Sequence, residues 1–571
     1  MTSDSGRLEL KALKSFPWAT GGRREAASEF AKKWREHANW VPYLPAQPLI
    51  SLIVTDVETA LPRHLDETLE SLRAQSYPQV EILQSSDPDS SWKKATGEWV
   101  GLVRAGDVLS PDALYQIVCA LSKDPEAPLF YTHEAEVDAS SKRIVRYFSK
   151  PRLGRANLLH FNPIGGFWCV RRSWLERLNG LDLKAGAHIE HDFFLRLSAH
   201  TAAFRLVPFF LYYRRESQGE NPPLVDSWLR ARVESHLEQI GFPATVALEN
   251  EDSAERLRVR PVLETPDSRL ISAIICFRDH ADWTIRSLRA LAERRGRTRL
   301  EVFLVNNGSS DHSRELVATE AERQGFPARV VDYDEPFNFA RMHNFCVREH
   351  CRGDLLLLLN NDVFLKKGSL DDWASWAALP WIGTVGIRLE LPDGGVQHAG
   401  FRAEFGGTAR LARVGNAVID DRFSRECHEV FGNSFAAAMM KRSTFEEQGG
   451  FREVDLPNGF GDTAFNFECL RRGLTNFYLP SVRGVHLESG SRGTTYEYWE
   501  ESILESEYPD ILQRMLREDL GYDRVPGGEA NMNRLVKEAL LGKLRESAPW
   551  LKPFKDDLKR LLSGLHLRKS T

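Results

Sequence analysis

Asp362 closes the segment Leu355-Leu356-Leu357-Leu358-Leu359-Asn360-Asn361-Asp362, and this order of residue types can hold a hard cation. Five leucines end abruptly in two amides and a carboxylate, all oxygen donors. A cation gripped there can in turn hold a diphosphate. The leucines can present those donors if they form a short strand buried on both faces of a parallel sheet. Ligands of open α/β sheets lie beyond the carboxyl ends of such strands. A core helix fits the apolar run equally well. Gly353 before it and the Asn-Asn-Asp turn after it, however, leave room only for a strand-length segment. The alternative is a turn that caps a strand and does nothing more, since Asn and Asp favour turns anyway.

The elements that must position this tip are legible in order. At Pro48 a strand enters a polar turn (PLISLIVTDVE), followed by a helically spaced segment, a second strand (VEILQ), a third (GEWVGLVRAGD) and a helix opened by Ser110-Pro111. Alternating β and α segments imply a parallel sheet. The order restarts at Leu270 with LISAIICFRDH, WTIRSLRALAERR, LEVFLVNNGSSD and then the leucine strand. GEWVGLVRAGD aligns with GDLLLLLNNDV without gaps, and VRRSWLERLNGL from Val170 aligns with MKRSTFEEQGGF from Met440. This is an internal duplication of a whole domain. The expected organisation is a helical N-terminal arm over 1–47, a first α/β domain over 48–215, a linker with a helix over 216–266, a second α/β domain over 267–508 and a helical C-terminal extension over 509–571.

A chain of 571 residues with 42% hydrophobic and 27% charged residues is a multidomain globular protein. A net charge of -5, with no basic patch interleaved with aromatics, argues against nucleic acid as a partner. No apolar run approaches the roughly 18 residues of a membrane span, and the first residues lack a secretory signal. Seven cysteines without a CxxC pair fit a reducing cytosol better than a disulfide framework or a zinc site. The basic amphipathic end, LKPFKDDLKRLLSGLHLRKS, reads either as a helix packed on the second domain or as a peripheral contact with the inner face of the cytoplasmic membrane.

Six motifs in sequence order carry a resemblance: LVNNGSSD at 304–311, PFNFARMHN at 336–344, LLLNNDV at 357–363, PDGGVQHAG at 392–400, GGF at 449–451 and HLESGSRG at 486–493. Both halves resemble family 2 glycosyltransferases of the GT-A fold. The second half is the closer match over roughly 270–500, and it is similar to the rhamnosyltransferase-like branch that builds O-antigen and other bacterial surface polysaccharides. The resemblance implies two tandem Rossmann-like GT-A domains. It also implies transfer from a nucleotide-sugar donor, dTDP-rhamnose or a UDP-hexose, to a glycan or lipid-linked acceptor in the cytoplasm. Mg²⁺ or Mn²⁺ would be held by Asp362, with Asn360 in place of the family's first aspartate and with His486. Asp462 takes the position of the general base, although Ala464 and Glu468 depart from the residues common after it. Asn306, Asn307, Asp311, Asn338, Arg341, Asn361 and Arg492 take donor positions, with Asn306 where an aspartate is usual. Gln397, His398 and Glu488 fall where the sugar or acceptor would lie.

The first half departs further. In the ungapped alignment Arg104-Ala105-Gly106 stands opposite Asn360-Asn361-Asp362, with Asp107 one residue beyond, and Tyr213 stands where many relatives carry histidine. Glu190 and Asp192 both match the base region, one through the family and the other through the internal alignment. The first half is thus expected to be a degenerate domain that binds acceptor or scaffolds the second, the alternative being a second, metal-independent activity. For the whole chain, the competing class is a non-catalytic glycan- or nucleotide-sugar-binding protein.

Overall fold

The structure, a computed structural model, describes residues 44–520 except 45–46, 57, 59, 86, 139–143, 149, 152, 155, 216–224, 252–253, 263–268, 404–410, 414–423 and 488–497. The expected N-terminal helical arm and the basic C-terminal segment lie outside the described residues. Among the described residues no helix is long and apolar enough to cross a membrane. The chain is α/β, with two curled sheets in two Rossmann-like halves.

The first sheet comprises β1 (Ile50–Thr55), β2 (Val80–Gln84), β3 (Trp99–Arg104), β4 (Val108–Leu109), β5 (Leu129–Val137), β6 (Ile144–Phe148), β7 (Trp168–Arg171) and β8 (Phe204–Arg215). Its longer helices are α1 (Pro62–Arg73), α2 (Ala113–Lys123) and α3 (Ile189–Ser198). After α4 (Ser227–Gln239) comes a hairpin of β9 (Ala244–Glu251) and β10 (Ala254–Pro261). The second sheet is drawn from β11 (Leu270–Phe277), β12 (Arg299–Asn306), β13 (Ala328–Asp332), β14 (Leu355–Leu359), β15 (Val363–Lys367), β16 (Ile382–Glu390), β17 (Val396–His398), β20 (His428–Val430), β21 (Ala437–Lys441) and β22 (Thr475–His486), while β18 (Phe401–Ala403) and β19 (Leu411–Arg413) pair apart. Its longer helices are α5 (Ala281–Glu293), α6 (Ser313–Glu322), α7 (Phe339–Glu349), α8 (Leu370–Ala377) and α9 (Gly461–Arg471), followed by α10 (Tyr498–Glu507) and α11 (Pro509–Leu520).

The duplication is visible strand for strand. The first sheet runs β2-β1-β3-β7-β5-β8-β4, and the second runs β12-β11-β14-β21-β16-β22-β15 with β13 added outside β12. Even a local device repeats. Gly97 N–H donates to Ser51 Oγ at 2.8 Å, and Gly353 N–H donates to Ser272 Oγ at 2.8 Å. A Cβ at Gly353 would lie 2.5 Å from the Leu270 carbonyl oxygen, and one at Gly97 would lie 2.7 Å from that of Leu49. Only glycine lets the central strand start this close to its neighbour.

β14 is buried along its whole length. Leu355, Leu357 and Leu359 face one cluster, while Leu356 and Leu358 face another beneath α7 and α9. Full burial stabilises by about 1.5–3 kcal/mol per leucine, which fixes the strand and thereby its polar tip.

The linker differs from expectation: it holds the β9–β10 hairpin as well as a helix. Leu257 and Val259 alternate with Arg256 and Arg258, and all four are buried. The arginines are tolerated because carboxylates meet them. Arg258 holds Glu251 through bonds of 3.0 and 2.7 Å, Arg256 pairs with Glu426 of the second half, and Arg260 reaches Asp372 on α8 at 2.5 Å. From the first half, His160 packs on Trp376 with ring centres 5.7 Å apart. Burial pushes this imidazole down to about 3, so it is neutral in the core.

Candidate active site

The pairing of β15 with β22 sets Val363 opposite His486, and so brings the histidine to the residue that follows the leucine strand's turn. His486 Nε2 lies 3.3 Å from Asp362 Oδ1, and both side chains are less than a tenth exposed. The other ring nitrogen, Nδ1, is 2.8 Å from Gln397 Oε1. With the amide oxygen facing it, Nδ1 carries the proton and Nε2 offers its lone pair to the carboxylate side. Two electron-rich atoms at that separation need a cation or a second proton between them. The donor set therefore fits a divalent ion held by one carboxylate and one imidazole. Among the described residues no group of three or more His, Cys, Asp or Glu converges. Most coordination positions would thus be left to donor oxygens and water, as Mg²⁺ and Mn²⁺ sites allow. Asn360 is anchored by its backbone N–H to Ala436 O at 2.8 Å, and Asn361 donates from Nδ2 to Thr284 Oγ1 on α5 at 3.3 Å.

Asp462 is the second residue of α9, directly after Phe460 in the left-handed region (φ 53°) and Gly461. Its Oδ1 accepts from Thr463 N–H at 2.8 Å, and Oδ2 accepts from Phe435 N–H at 3.4 Å. Phe435 and Ala436 therefore bridge the two halves of the site, with one backbone group on Asp462 and the other on Asn360. Asp462 thus sits in the first turn of its helix and is joined to the tip through Phe435 and Ala436.

Asn306 ends β12, and both the nitrogen and the oxygen of its amide have partners. Nδ2 donates to Asp332 at 3.0 Å, and Oδ1 accepts from the backbone and hydroxyl of Ser309 at 3.1 and 2.7 Å. Asn307 donates to the carbonyls of Tyr333 and Glu335, while its buried Oδ1 has no hydrogen-bond partner among the described residues. A buried acceptor left open is a place for a ligand donor. Asp311 accepts from Ser313 at the start of α6, and the Ser313 hydroxyl and N–H together hold its carboxyl below the usual range. Sequence reasoning did not single out Asp279 and His280, which are both left-handed (φ 54°) at the end of β11. Asp279 accepts from Ser310 N–H at 2.7 Å, and His280 stacks on Trp283 with centres 4.4 Å apart. The only sequence signal was a polar turn, Arg278-Asp279-His280, at a strand end.

Asn338 and Arg341 open α7, and their side chains reach the loop that leads to Asp462. Asn338 Nδ2 donates to Glu453 O at 2.9 Å, and Arg341 Nε lies 3.2 Å from the Glu453 carboxylate. His398 is buried and accepts at Nε2 from Gly400 and Ser434 N–H, so it ties down the turn beside Gln397. Glu488 and Arg492 lie outside the described residues.

The family model described as Glycosyl transferase family 2 matches residues 272–447. The second half carries a family 2 glycosyl transferase domain. Among curated relatives, the O-antigen biosynthesis protein RfbC of Myxococcus xanthus is 30% identical over 458 residues, covering 77% of this chain and 35% of that protein. The uncharacterized protein y4gI of Sinorhizobium fredii is 25% identical over 495 residues, covering 78% of this chain and 54% of that protein. The chain thus spans well under two thirds of either relative. A solved structure of GalNAc-T7 with UDP, GalNAc and Mn²⁺ matches with TM-score 0.36 at 13% identity, covering 50% of this chain and 57% of that one.

Against this family 2 domain the first half reads as a filled-in copy. Val108 pairs with Tyr213 as Val363 pairs with His486. Asp107, not Gly106, is therefore the positional counterpart of Asp362, because the first turn is one residue longer. This corrects the ungapped reading. The Asp107 carboxylate is buried, accepting from the Tyr212 hydroxyl and from Arg215 N–H at 3.0 Å. Arg104 lies 4.0 Å from Glu190, which also accepts from Trp168 Nε1 at 3.0 Å. Glu190 is the second residue of α3, as Asp462 is of α9. Asp192 is instead buried between Arg196, at 2.8 Å, and Arg232. Of the two acids that matched the base region, Glu190 occupies the counterpart position.

Proposed function

We propose that the family 2 domain is an inverting, metal-dependent transferase. It moves a sugar, rhamnose from dTDP-rhamnose or a hexose from a UDP-hexose, to a growing cell-surface polysaccharide or lipid-linked glycan. The observation that carries this reading is the Asp362–His486 pair, its imidazole oriented by Gln397 at the end of the central strand. A bound Mg²⁺ or Mn²⁺ there would supply Lewis-acid stabilisation of the departing diphosphate. The chain's own groups do the rest. Asp462 takes the proton of the acceptor hydroxyl as its oxygen attacks the anomeric carbon from the face opposite the diphosphate. The new C–O bond forms as the sugar–phosphate bond breaks, so configuration inverts. The open Asn307 Oδ1 and the β11 and β12 turns receive the nucleoside, and Asn338 and Arg341 fix the flank of that pocket. The proposed setting is the cytoplasmic face of the membrane, where lipid-linked acceptors are available.

The first half, in this reading, transfers nothing: Arg104 and Glu190 neutralise each other where donor and base would meet. The test is a panel of UDP- and dTDP-sugars followed by nucleotide release, with Mn²⁺, Mg²⁺ or a chelator. Turnover that needs the cation and disappears in Asp362→Ala is expected. Full activity of that variant under chelator refutes the assignment, and binding without turnover across acceptors favours a non-catalytic binder.

A further inference from the structure

Beyond the family-matched stretch, α10 buries an acid in a loop that touches both sides of the site. Glu500 is fully buried. Its Oε1 accepts from two successive backbone groups, Asn458 N–H at 3.1 Å and Gly459 N–H at 3.0 Å. These residues immediately precede Phe460, Gly461 and Asp462. The same loop caps the donor-flanking helix α7, because Ala340 N–H donates to Pro457 O at 3.1 Å and Phe339 N–H donates to Asn458 Oδ1 at 3.3 Å. α10 is itself held firmly. Leu504 and Tyr508 pack with Ala464 and Phe467 of α9 and with Leu456 of the loop, and Arg452 pairs with Glu507.

We propose that Glu500 is a positioning residue for Asp462, a reading that rests on Asp462 being the base. Two neighbouring N–H groups turned toward one point form a concave, electropositive cradle. Asn458 is exposed and Gly459 half-buried, but the carboxylate they share is fully buried, so it anchors the loop from inside the protein. Withdrawing that acceptor forces the loop to turn its amides elsewhere. The first residue to feel the change is Phe460, whose left-handed backbone sets the start of α9. A displacement of about 1 Å at a reacting group can cost on the order of a hundredfold in rate. The Asp362–His486–Gln397 side is carried by β15, β17 and β22 and does not depend on this loop.

The experiment uses the full chain and whichever UDP- or dTDP-sugar of the panel supports Mn²⁺-dependent nucleotide release. Glu500→Ala is expected to lower kcat at least about tenfold, and by more than it raises donor KM, which the loop's capping of α7 also touches. Glu500→Gln, which keeps an amide oxygen in place, is expected to restore most of kcat. Hydrogen exchange at 458–459 should rise in the alanine variant and not in the glutamine variant. If the alanine variant does not fold, Glu500→Asp carries the test, since one methylene withdraws the carboxylate and should still lower kcat. Asp510→Ala, which cuts an exposed pair to Arg471, is the control and should leave kcat unchanged. Retention of full kcat in Glu500→Ala or Glu500→Asp overturns the proposal. So does a parallel loss of kcat and donor binding that Glu500→Gln does not rescue. Asp462→Asn separates the two readings. If it keeps turnover, the base assignment itself fails; if it is inactive while Glu500→Ala is active, only the positioning role fails.

Discussion

Gln397 sits on a three-residue strand, and its Oε1 fixes which nitrogen of His486 faces Asp362. Partners of this kind typically change metal affinity or activity by about 10–100-fold. Gln397→Ala is therefore expected to raise the Mn²⁺ concentration for half-maximal nucleotide release by about that factor while leaving kcat at saturating Mn²⁺ within a few fold. Asp462→Asn should do the reverse. It removes general-base catalysis, worth about 10²–10⁴-fold in kcat, and leaves UDP binding in the presence of Mn²⁺ nearly intact, as calorimetry can show. The two variants together distinguish holding the donor from activating the acceptor.

At the scale of elements, the central strand works because it begins at a glycine and ends at polar residues. Gly353→Ala would set a methyl against the Leu270 carbonyl at 2.5 Å and push β14 away from β11. A cost of about 1–3 kcal/mol, the range for forced overpacking, is expected in denaturant unfolding, with a parallel loss of activity as the tip shifts. Gly97→Ala meets the same obstacle in the first half and should destabilise comparably while sparing the tip. The first half also shows how a strand can keep its register and lose its site. One extra residue in the turn after β3 sends the Asp107 carboxylate to the Tyr212 hydroxyl. Arg104→Ala is accordingly expected to leave nucleotide release unchanged.

Across the whole molecule, the β9–β10 hairpin is tied to the second half by buried ion pairs, while its Leu257 and Val259 join an apolar cluster that runs through both halves. Arg256 and Arg258 both approach Glu426, and Glu251 meets Arg258 and Arg483. Removing one partner strands a buried charge, so Glu426→Ala should lower stability by about 3–5 kcal/mol in equilibrium unfolding. For Glu251, burial pushes the carboxyl up, but the Arg258 guanidinium outweighs it and the group lies below its ordinary value. A folded-state value below the unfolded one, about 4.3, contributes stability that is complete above that pH and is lost as pH falls through the folded value. Glu251→Gln should therefore narrow the difference in unfolding midpoint between pH 7 and more acid solution.

The sequence by itself determined the β-α order of both halves, their duplication, and a central strand with a polar tip. Those features rest on local burial patterns: five leucines flanked by glycine and Asn-Asn-Asp have few ways to be satisfied. Tertiary structure alone decided which polar residues meet. Val363 opposite His486 depends on strand register, Asp107 rather than Gly106 depends on turn length, and Glu190 rather than Asp192 depends on which acid meets Arg104 and which meets Arg196 and Arg232. The hairpin was hidden because its arginines alternate with leucine and valine in a pattern that reads as solvated until distant carboxylates bury it. Glu500 carries no local signal either, since the amides it accepts from lie some forty residues earlier in the chain. Burial along one segment can be read from its own residues, whereas the partner of a buried polar group is fixed only when the chain has closed around it.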